Sequence, residues 1–466
     1  MMGERFDSIV AGGQVVLEDG VRRQDIGIRD GVIVAISEKL GETDSANVID
    51  AEGLWVLPGM IDTHVHFNEP GMGHWEGFAT GSAALAAGGC TTYIDMPLNG
   101  LPPTINLDAL KLKADLAKGS SAVDYAFWGG LVPGNLSDLE LLHEAGVAGF
   151  KAFMSNPGGD GEGRFREIDD WSLHKGMLRI ASFGGLLALH AESEAMTSEL
   201  AEICLREGRT GALDFVSSRP PAAELEAVCR ALSLAKRTGC RLHFVHISHP
   251  DSVEEIDRAK KQGVDVTVET CPHYLVLTDS DLERLGPVAK CAPPLRDAAS
   301  VERLWEQAAE GKIDFIASDH SPCPEDLKYP PDGTFFDAWG GIAGAQSSLE
   351  LMLAEGVTRR GLPLPLVSAL LAGNPAKRFG LDRRKGRIAI GLDADLVLVD
   401  PEGAYTLSKE GLLQRHSHSP YLNREFPHRV RMTISRGRSV YDSTAGGVFP
   451  GMGMPAVSKP IREGSA

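Results

Sequence analysis

Two histidines separated by one residue close a short apolar stretch of the sequence. Residues 55–63 are typical of a buried strand, and His64 and His66 follow at its end. Because alternate residues of a strand point to the same side, both imidazoles would face the same way and could share a metal ion. His416 and His418 have the same spacing in a polar loop, so the pattern alone does not establish a metal site.

Further residues with metal-binding or acid–base chemistry follow other apolar stretches, where the strands of a barrel would end: Lys151, His190, His246 and Asp319. His243 precedes His246 by three residues, so the two side chains would face opposite ways in a strand, and His246 is the predicted ligand. Each residue alone is also consistent with a structural role, such as a capping Asp or a buried His. Gathered at strand ends, the set is not explained by core packing and predicts a site for two metal ions.

Charge explains the lysine in this set. Two divalent cations about 3.5–4 Å apart repel each other and need an anionic group between them, which neutral histidines cannot supply. A buried lysine beside cations loses its proton readily, and its free amine can take up CO2 to form a carbamate with two ligand oxygens. Lys151 is therefore predicted to be carboxylated (N6-carboxylysine), and Asp319 is predicted to supply a second anion.

The order of strands and helices along the 466 residues predicts a fold that brings these side chains together. Over residues 56–384, short apolar strands alternate with helical stretches that stop at Gly, which is typical of an α/β fold of the TIM-like (β/α)8 barrel type. A doubly wound open sheet is the alternative. Residues 1–55 and 385–442 have strand-like patterns, with a hairpin at Asp30-Gly31, and are predicted to form one small β-sandwich domain. Residues 443–466, rich in Gly and Pro, are predicted to be a loose C-terminal tail.

Charge and composition argue against several classes of partner. Asp and Glu number 64 against 46 Lys and Arg, a net charge of −18 at pH 7, which disfavours nucleic acid and anionic lipid. No stretch reaches the roughly 18 apolar residues that a membrane span needs, and the start lacks the apolar core of a signal peptide. The seven cysteines are scattered without a C-x-x-C pair, which is typical of reduced thiols, so a cytoplasmic location is predicted.

In order and type, the set of H-x-H, Lys, His, His and Asp resembles the cyclic amidohydrolases of the amidohydrolase superfamily, which include hydantoinases (dihydropyrimidinases), dihydroorotases and allantoinases. The stretches 56–62, before the histidine pair, and 385–396, where the chain returns to its β domain, resemble the same family. The resemblance covers nearly the whole chain. It implies a barrel with a metal-dependent hydrolase site, and a homotetramer or homodimer by analogy.

The resemblance also implies a role for each predicted ligand. In that family pattern the more buried ion is held by His64 and His66, the other ion by His190 and His246, the bridge between them is carboxylated Lys151, and Asp319 binds metal and transfers protons. A hydroxide bridging the ions would attack the ring amide carbonyl. Zn is the expected metal, and the same ligand types also accept Co, Mn, Ni or Fe.

Within the family, four segments resemble the allantoinases. Dihydroorotases carry an Arg where this chain has Asn68, and hydantoinases carry a Tyr where it has Asn156. The allantoinase-like segments are 73–77, 95–99, 318–324 and 338–344. The resemblance therefore implies hydrolysis of the hydantoin ring of allantoin to allantoate, in purine catabolism. The alternatives are a hydantoinase or dihydropyrimidinase acting on other cyclic imides, and a non-catalytic scaffold relative.

The implied substrate is uncharged, so its site would need amide-type donors and acceptors and no fixed cation. The side chains of Asn68 and Asn99 are the predicted substrate contacts. By analogy with the family, the backbone at Ala292 and Gly340 would also grip the ring.

Overall fold

Strands and helices alternate through most of the computed structural model, which describes residues 5–41, 45–159, 163–445 and 447–456. The strands are β1 (Phe6–Leu17), β2 (Gly20–Arg29), β3 (Val32–Ser37), β4 (Ser45–Asp50), β5 (Trp55–Pro58), β6 (Met60–Val65), β7 (Cys90–Asp95), β8 (Asp124–Phe127), β9 (Gly129–Gly130), β10 (Phe150–Phe153), β11 (Leu186–His190), β12 (Arg241–Phe244), β13 (Val266–Thr270), β14 (Phe315–Ile316), β15 (Leu396–Asp400), β16 (Tyr405–Thr406), β17 (Glu425–Phe426), β18 (Arg429–Ser435), β19 (Arg438–Asp442) and β20 (Gly447–Val448).

The α-helices are α1 (Phe78–Ala87), α2 (Leu107–Ala117), α3 (Asp138–Glu144), α4 (Asp170–Ser182), α5 (Glu194–Arg206), α6 (Ala212–Ser218), α7 (Pro221–Thr238), α8 (Pro250–Lys261), α9 (Pro272–Val276), α10 (Asp279–Leu285), α11 (Ala298–Ala309), α12 (Glu325–Lys328), α13 (Ser348–Met352), α14 (Leu364–Ser368) and α15 (Asn374–Arg378). Short 3-10 and π-helical turns extend several of them.

The middle of the chain is the predicted (β/α)8 barrel. Strands β6, β7 and β8 pair in parallel, and β9 to β14 form a second parallel sheet. The barrel is continuous because β9 directly follows β8, and because Val65 at the end of β6 bridges to His320 after β14. The barrel strands are mostly buried, and β11 is buried along its whole length, since helices cover them outside and side chains fill the interior.

The helices between the strands follow their local sequence signals. Helix α7 starts at Pro221, which has no N–H to leave unpaired, and it ends at Gly239, whose φ of 71° only glycine adopts without strain. Its buried residues form one stripe that packs on the barrel, and its basic residues fall in the last turn. Because β12 pairs in parallel with β11, the connection that contains α7 returns the chain to the same end of the barrel.

The two ends of the chain form one β-sandwich-like domain beside the barrel, as predicted. The nine-stranded sheet has the order β20-β19-β18-β15-β5-β1-β2-β3, with β4 paired to β1. N- and C-terminal strands join where β5 pairs antiparallel with β15, and the Asp30-Gly31 turn connects the antiparallel strands β2 and β3. Val10, Ile26 and Leu396 belong to the apolar core that this sheet encloses.

The structure moves two of the predicted boundaries. Strand β5 belongs to the small domain, so the junction with the barrel falls near Gly59 and not after residue 55. The segment from residue 443 is not a loose tail as far as 456. Strand β20 pairs with β19, and the backbone of Met454 bonds to Tyr125 and Asp124 of the barrel, which fixes this Gly- and Pro-rich segment by backbone hydrogen bonds.

None of the helices in the described ranges is long and apolar enough to cross a membrane.

Candidate active site

A cavity of about 340 Å³ opens where the barrel strands end at their carboxyl termini. Among its lining residues are five of the six predicted ligands: His64, His66, His190, His246 and Asp319. They come from four different strand ends, so the parallel topology alone gathers them. The sixth, Lys151 on β10, is completely buried and lies behind the cavity wall.

The ligand atoms fall into two adjoining groups. Nε2 of His64 and Nε2 of His66 lie 3.2 and 3.5 Å from the same carboxylate oxygen of Asp319. In the second group, Nδ1 of His190 lies 3.0 Å from Nε2 of His246. The rings of His64 and His246 are 5.4 Å apart between centroids, so the two groups share one site.

Burial sets the protonation of these groups. It lowers the pKa of His64, His190 and His246, so that each imidazole is neutral and has a free lone pair. Burial alone would raise the pKa of Asp319, but the neighbouring imidazoles of His64, His246 and His66 hold it well below its ordinary range. The site therefore presents neutral nitrogens and one carboxylate, the donor types that divalent transition metals accept.

The amine of Lys151 is an unusual buried group. Its Nζ has no hydrogen-bond partner among the residues that the structure describes, and it lies 4.8 Å from the centroid of the Phe153 ring. Burial lowers the pKa of Lys151 to about 8, against the opposing attraction of Asp319 and Glu269. Buried polar groups are normally paired, so this amine fits a lysine that carries a further polar group or faces a ligand.

The donor atoms around the cavity are of the kinds that a pair of divalent ions would need. Close imidazole nitrogens and a carboxylate line one cavity, and the unpartnered amine of Lys151 is buried behind its wall. Nδ1 of His66 and Nδ1 of His246 also lack a partner within the described ranges. The donor set is the one expected for two metal ions, and the residues present fit that group.

Two buried carboxylates behind the ligands were not found from the sequence. Glu269 on β13 accepts from Nδ1 of His64 at 2.6 Å and contacts Nε2 of His243 at 3.1 Å. Glu192 accepts from Nε2 of His190 at 2.8 Å. Such carboxylates fix the orientation of a ligand histidine and the nitrogen it presents. Two sequence signals were available: Glu269 is an acidic residue inside an apolar strand, and Glu192 is an acidic residue two positions after the predicted ligand His190.

His243 lies in β12, and His246 lies two residues beyond the end of that strand. His246 lines the cavity and His243 does not, but His243 reaches the site indirectly because it contacts Glu269. His246 and Asp319 also have left-handed backbone conformations, with φ of 40° and 46°. Such conformations are costly for residues other than glycine and cluster at functional sites. They direct these side chains into the cavity just beyond the regular strands.

Three of the four predicted substrate contacts line the cavity: Asn99, Ala292 and Gly340. Asn68 is not among the lining residues, which differs from the prediction. Its backbone has a φ of 64°, and its side-chain amide donates to the carbonyl of Asn99 at 3.1 Å, so it holds Asn99 in place. Next to Gly340, a Cβ on Gly341 would lie 2.3 Å from the Ser321 carbonyl oxygen, so only glycine allows this close approach.

Two basic residues line the cavity, although the sequence predicts a substrate site with no fixed cation. Arg219 lines the cavity, but its guanidinium lies 2.5 Å from the buried carboxylate of Glu192, which neutralises it. Lys290 also lines the cavity, and burial lowers its pKa to about 7. Asn156, at the position where hydantoinases carry Tyr, is a further wall residue. The cavity therefore offers no unpaired guanidinium to clamp a carboxylate substrate.

Comparisons with known proteins agree with this architecture. A model of the amidohydrolase family matches residues 55–440. Curated allantoinases of Salmonella newport (strain SL254) and Salmonella typhimurium (strain LT2) are 47% identical to this chain over 449 residues, 96% of this chain and 98% of each relative. The solved L-hydantoinase (dihydropyrimidinase) from Arthrobacter aurescens has a TM-score of 0.92 and 36% identity, over 96% of this chain and 99% of that chain. The solved dihydropyrimidinase from Brevibacillus agri NCHU1002 has a TM-score of 0.88 and 30% identity, over 96% of this chain and 97% of that chain.

Proposed function

The chain belongs to the amidohydrolase family, and from that premise we propose that it hydrolyses the ring amide of allantoin to allantoate, as an allantoinase does. The observation that carries this proposal is the 47% identity to curated allantoinases over 96% of the chain. The uncharged lining at the predicted substrate contacts and the absence of an unpaired Arg in the described cavity wall support an uncharged ring as substrate.

The site would hold two divalent cations, with Zn as the expected metal and Co, Mn, Ni or Fe as the alternatives. His64 and His66 would hold one ion, and His190 and His246 the other. Carboxylated Lys151 would bridge them, which the buried, unpartnered amine with its lowered pKa supports. When bound, the ions would make a water molecule nucleophilic at neutral pH and polarise the amide carbonyl.

Asp319 would move the proton of the reaction. Its carboxylate lies within 3.5 Å of two proposed ligands and borders the cavity, so it can reach both the attacking water and the substrate. As the water oxygen bonds to the carbonyl carbon, Asp319 would take a proton from that water. As the C–N bond of the ring breaks, it would deliver the proton to the leaving nitrogen.

The wall opposite the ligands would orient the ring. Asn99 can offer amide groups to the ureido arm or the ring, and the backbone at Ala292 and Gly340 can pair with an imide-like edge. The chain itself would thus orient the substrate and exclude water from it, while specificity for the substrate depends on a few convergent polar groups.

A substrate comparison tests the proposal. The purified enzyme is assayed with allantoin, hydantoin, dihydrouracil and dihydroorotate, and the metal content is measured on the same sample. We expect kcat/KM for allantoin to exceed the others by at least about tenfold, about 1.4 kcal/mol of transition-state binding, with about two metal ions per chain. Faster turnover of hydantoin or dihydrouracil would instead favour the hydantoinase alternative, and full activity without metal would exclude the mechanism.

The proposal includes the location and the assembly. Seven free cysteines, six of them buried, support a reducing compartment such as the cytoplasm. A homotetramer, or a homodimer, is proposed by analogy, and light scattering of the purified enzyme measures its mass directly.

A further inference from the structure

A second set of metal-binding atoms includes Asp319 together with two residues outside the proposed ligand set. Single ligand atoms of Cys271, His273 and Asp319 all lie within 4.8 Å of one another, and all three side chains are buried. Cys271 follows Glu269 by two positions at the end of β13, so its thiol points to the same side as the carboxylate that contacts His64. The proposed hydrolysis gives neither Cys271 nor His273 a role.

The imidazole of His273 is the unexplained member of this set. The side chain is 1% exposed, yet neither ring nitrogen has a hydrogen-bond partner in the part of the chain that the structure describes. A buried polar group left without a partner is destabilising, so such groups normally indicate a ligand or a bound water. His273 lies at the start of α9, next to Tyr274, whose hydroxyl bonds to the Pro293 carbonyl and anchors this turn.

We propose that Cys271, His273 and Asp319 form a second, inhibitory site, sharing Asp319 with the main site, for a thiophilic divalent cation such as Cd²⁺ or excess Zn²⁺. One thiolate, one imidazole and one carboxylate make a three-ligand set that such ions accept, with a fourth position for water. Binding releases the thiol proton of Cys271 to solvent, because the thiolate is the ligand. The cation binding stands on this geometry alone, whereas its inhibitory effect rests on the proposed function of Asp319.

Charge predicts the order in which the sites fill. A thiolate and a carboxylate neutralise one divalent cation locally, but the ions held by the histidines next to Asp319 repel it. The inhibitory site therefore fills only after the main site, at higher metal concentration. Once filled, it withdraws the carboxylate of Asp319 from proton transfer, so activity falls as the site becomes occupied.

The experiment titrates Cd²⁺ into the metal-loaded enzyme in a Cys229→Ser background, since Cys229 is the exposed thiol of the chain. Two signals are followed together: the ultraviolet absorbance of a cadmium–thiolate bond, and the initial rate of allantoin hydrolysis. We expect the absorbance to saturate at about one Cd²⁺ per chain while the rate falls in parallel. Adding Cys271→Ser should leave the basal rate unchanged, abolish the absorbance and raise the half-inhibitory Cd²⁺ concentration at least about tenfold.

Two matched variants complete the test. Cys240→Ser removes another buried thiol, just before the start of β12, and should keep both the absorbance and the inhibition. His273→Asn retains the thiol but removes the imidazole, and should weaken Cd²⁺ binding. The inference is overturned if the absorbance survives Cys271→Ser, or if inhibition persists in that variant at the same Cd²⁺ concentration. Because the absorbance does not depend on any reaction, an enzyme inactive on allantoin would still test the binding.

Discussion

At the scale of single residues, buried carboxylates decide which nitrogen each histidine presents. Glu269 bonds to Nδ1 of His64, which leaves Nε2 facing Asp319. Glu192 bonds instead to Nε2 of His190, which leaves Nδ1 facing His246. Burial would raise the pKa of Glu192, but the charge of Arg219 and the bond to His190 lower it to about 2, so the carboxylate stays ionised.

The role of Asp319 is tested by Asp319→Asn. An amide of the same shape can still sit between His64 and His66 but cannot accept and release a proton. We expect turnover of allantoin to fall by about 1,000-fold, within the range for loss of a general acid–base group, with the fold unchanged by circular dichroism. A variant that keeps more than a tenth of the activity would contradict the proton-transfer role.

The role of Lys151 is tested by Lys151→Ala. Without an anionic bridge the two cations repel each other, so we expect fewer than two tightly bound metal ions per chain and a large loss of activity. A short carboxylic acid added in excess can enter the space and replace the carbamate oxygens, which should restore part of the activity. Lys111→Ala, at an exposed position of α2, is the matched control. Two tightly bound ions in Lys151→Ala without added acid would argue against the carbamate.

At the scale of elements, two buried lysines hold the loop over residues 334–341 that forms one wall of the cavity. The ammonium of Lys328 donates to the carbonyls of Trp339 and Gly341 at 2.8 and 2.5 Å. That of Lys290 donates to three other carbonyls of the loop, among them Ala338 at 2.5 Å. Five backbone carbonyls of this wall are thus held by two lysine side chains.

Lys328→Met should therefore loosen the substrate wall without touching the proposed ligands. We expect KM for allantoin to rise by about tenfold with a smaller change in kcat, because the loss of two charge-assisted bonds costs about 2–3 kcal/mol of local order. Lys328→Arg should recover part of the binding. Steady-state kinetics of both variants measure the changes in KM and kcat separately. A fall in kcat with KM unchanged in Lys328→Met would rule out a positioning role.

Glu350 on α13 gives the contact between barrel and small domain a dependence on pH. Its carboxylate accepts from the Val430 N–H at 2.8 Å and from the Tyr405 hydroxyl, and burial raises its pKa to about 7. The folded state therefore holds a proton that the unfolded chain, with the ordinary value of 4.5, releases earlier. The contribution of Glu350 to stability is complete below about pH 4.5 and is lost as the pH rises towards about 7.

Glu350→Gln tests this linkage because glutamine stays neutral at every pH. We expect the free energy of unfolding of the variant to fall less than that of the wild type between about pH 5 and about pH 8. Urea unfolding at fixed metal concentration measures the difference, and the exposed Glu144→Gln serves as control. Parallel pH profiles for wild type and Glu350→Gln would show that this carboxyl does not titrate in the range.

At the scale of the whole molecule, one buried cation joins the barrel to the small domain. The ammonium of Lys385 lies 2.8 Å from Asp124 on β8, and 2.5 and 3.3 Å from Asp395 and Asp393 before β15. Burial alone would lower the pKa of Lys385, but the attraction of Asp395 and Asp124 raises it above its ordinary value. Asp124 also accepts from the Met454 N–H, so the C-terminal segment depends on the same cluster.

Lys385→Met should destabilise the fold strongly. Arg436 still pairs with Asp124 and Arg384 with Asp393, but buried Asp395 loses its counter-charge, which costs about 3–5 kcal/mol. Denaturant unfolding measures this loss. Lys377→Met is the matched control, because Lys377 is mostly exposed and lies 3.8 Å from Glu18 in an exposed ion pair worth at most about 1 kcal/mol. A loss in Lys385→Met no larger than in the control would contradict the linking role.

The sequence by itself determined the barrel, the composite β domain and the candidate ligands. Strand alternation, Gly-terminated helices and the position of His64, His66 and the later ligands at strand ends are local patterns, and parallel strands necessarily bring their carboxyl ends to one edge. Among the described residues, the segment 443–456 differs from the predicted loose tail, because it is docked by backbone hydrogen bonds to the barrel that no side-chain pattern reports.

Only the tertiary structure decided what surrounds the ligands. Glu269 meets His64 across strands, and Glu192 turns back to His190 two residues earlier. Arg219 reaches Glu192 from a distant helix end, and Asn68 turns towards Asn99 instead of the cavity. The physical reason is that these contacts depend on side-chain direction and on backbone turns with positive φ beyond the strands, which residue type and spacing do not specify.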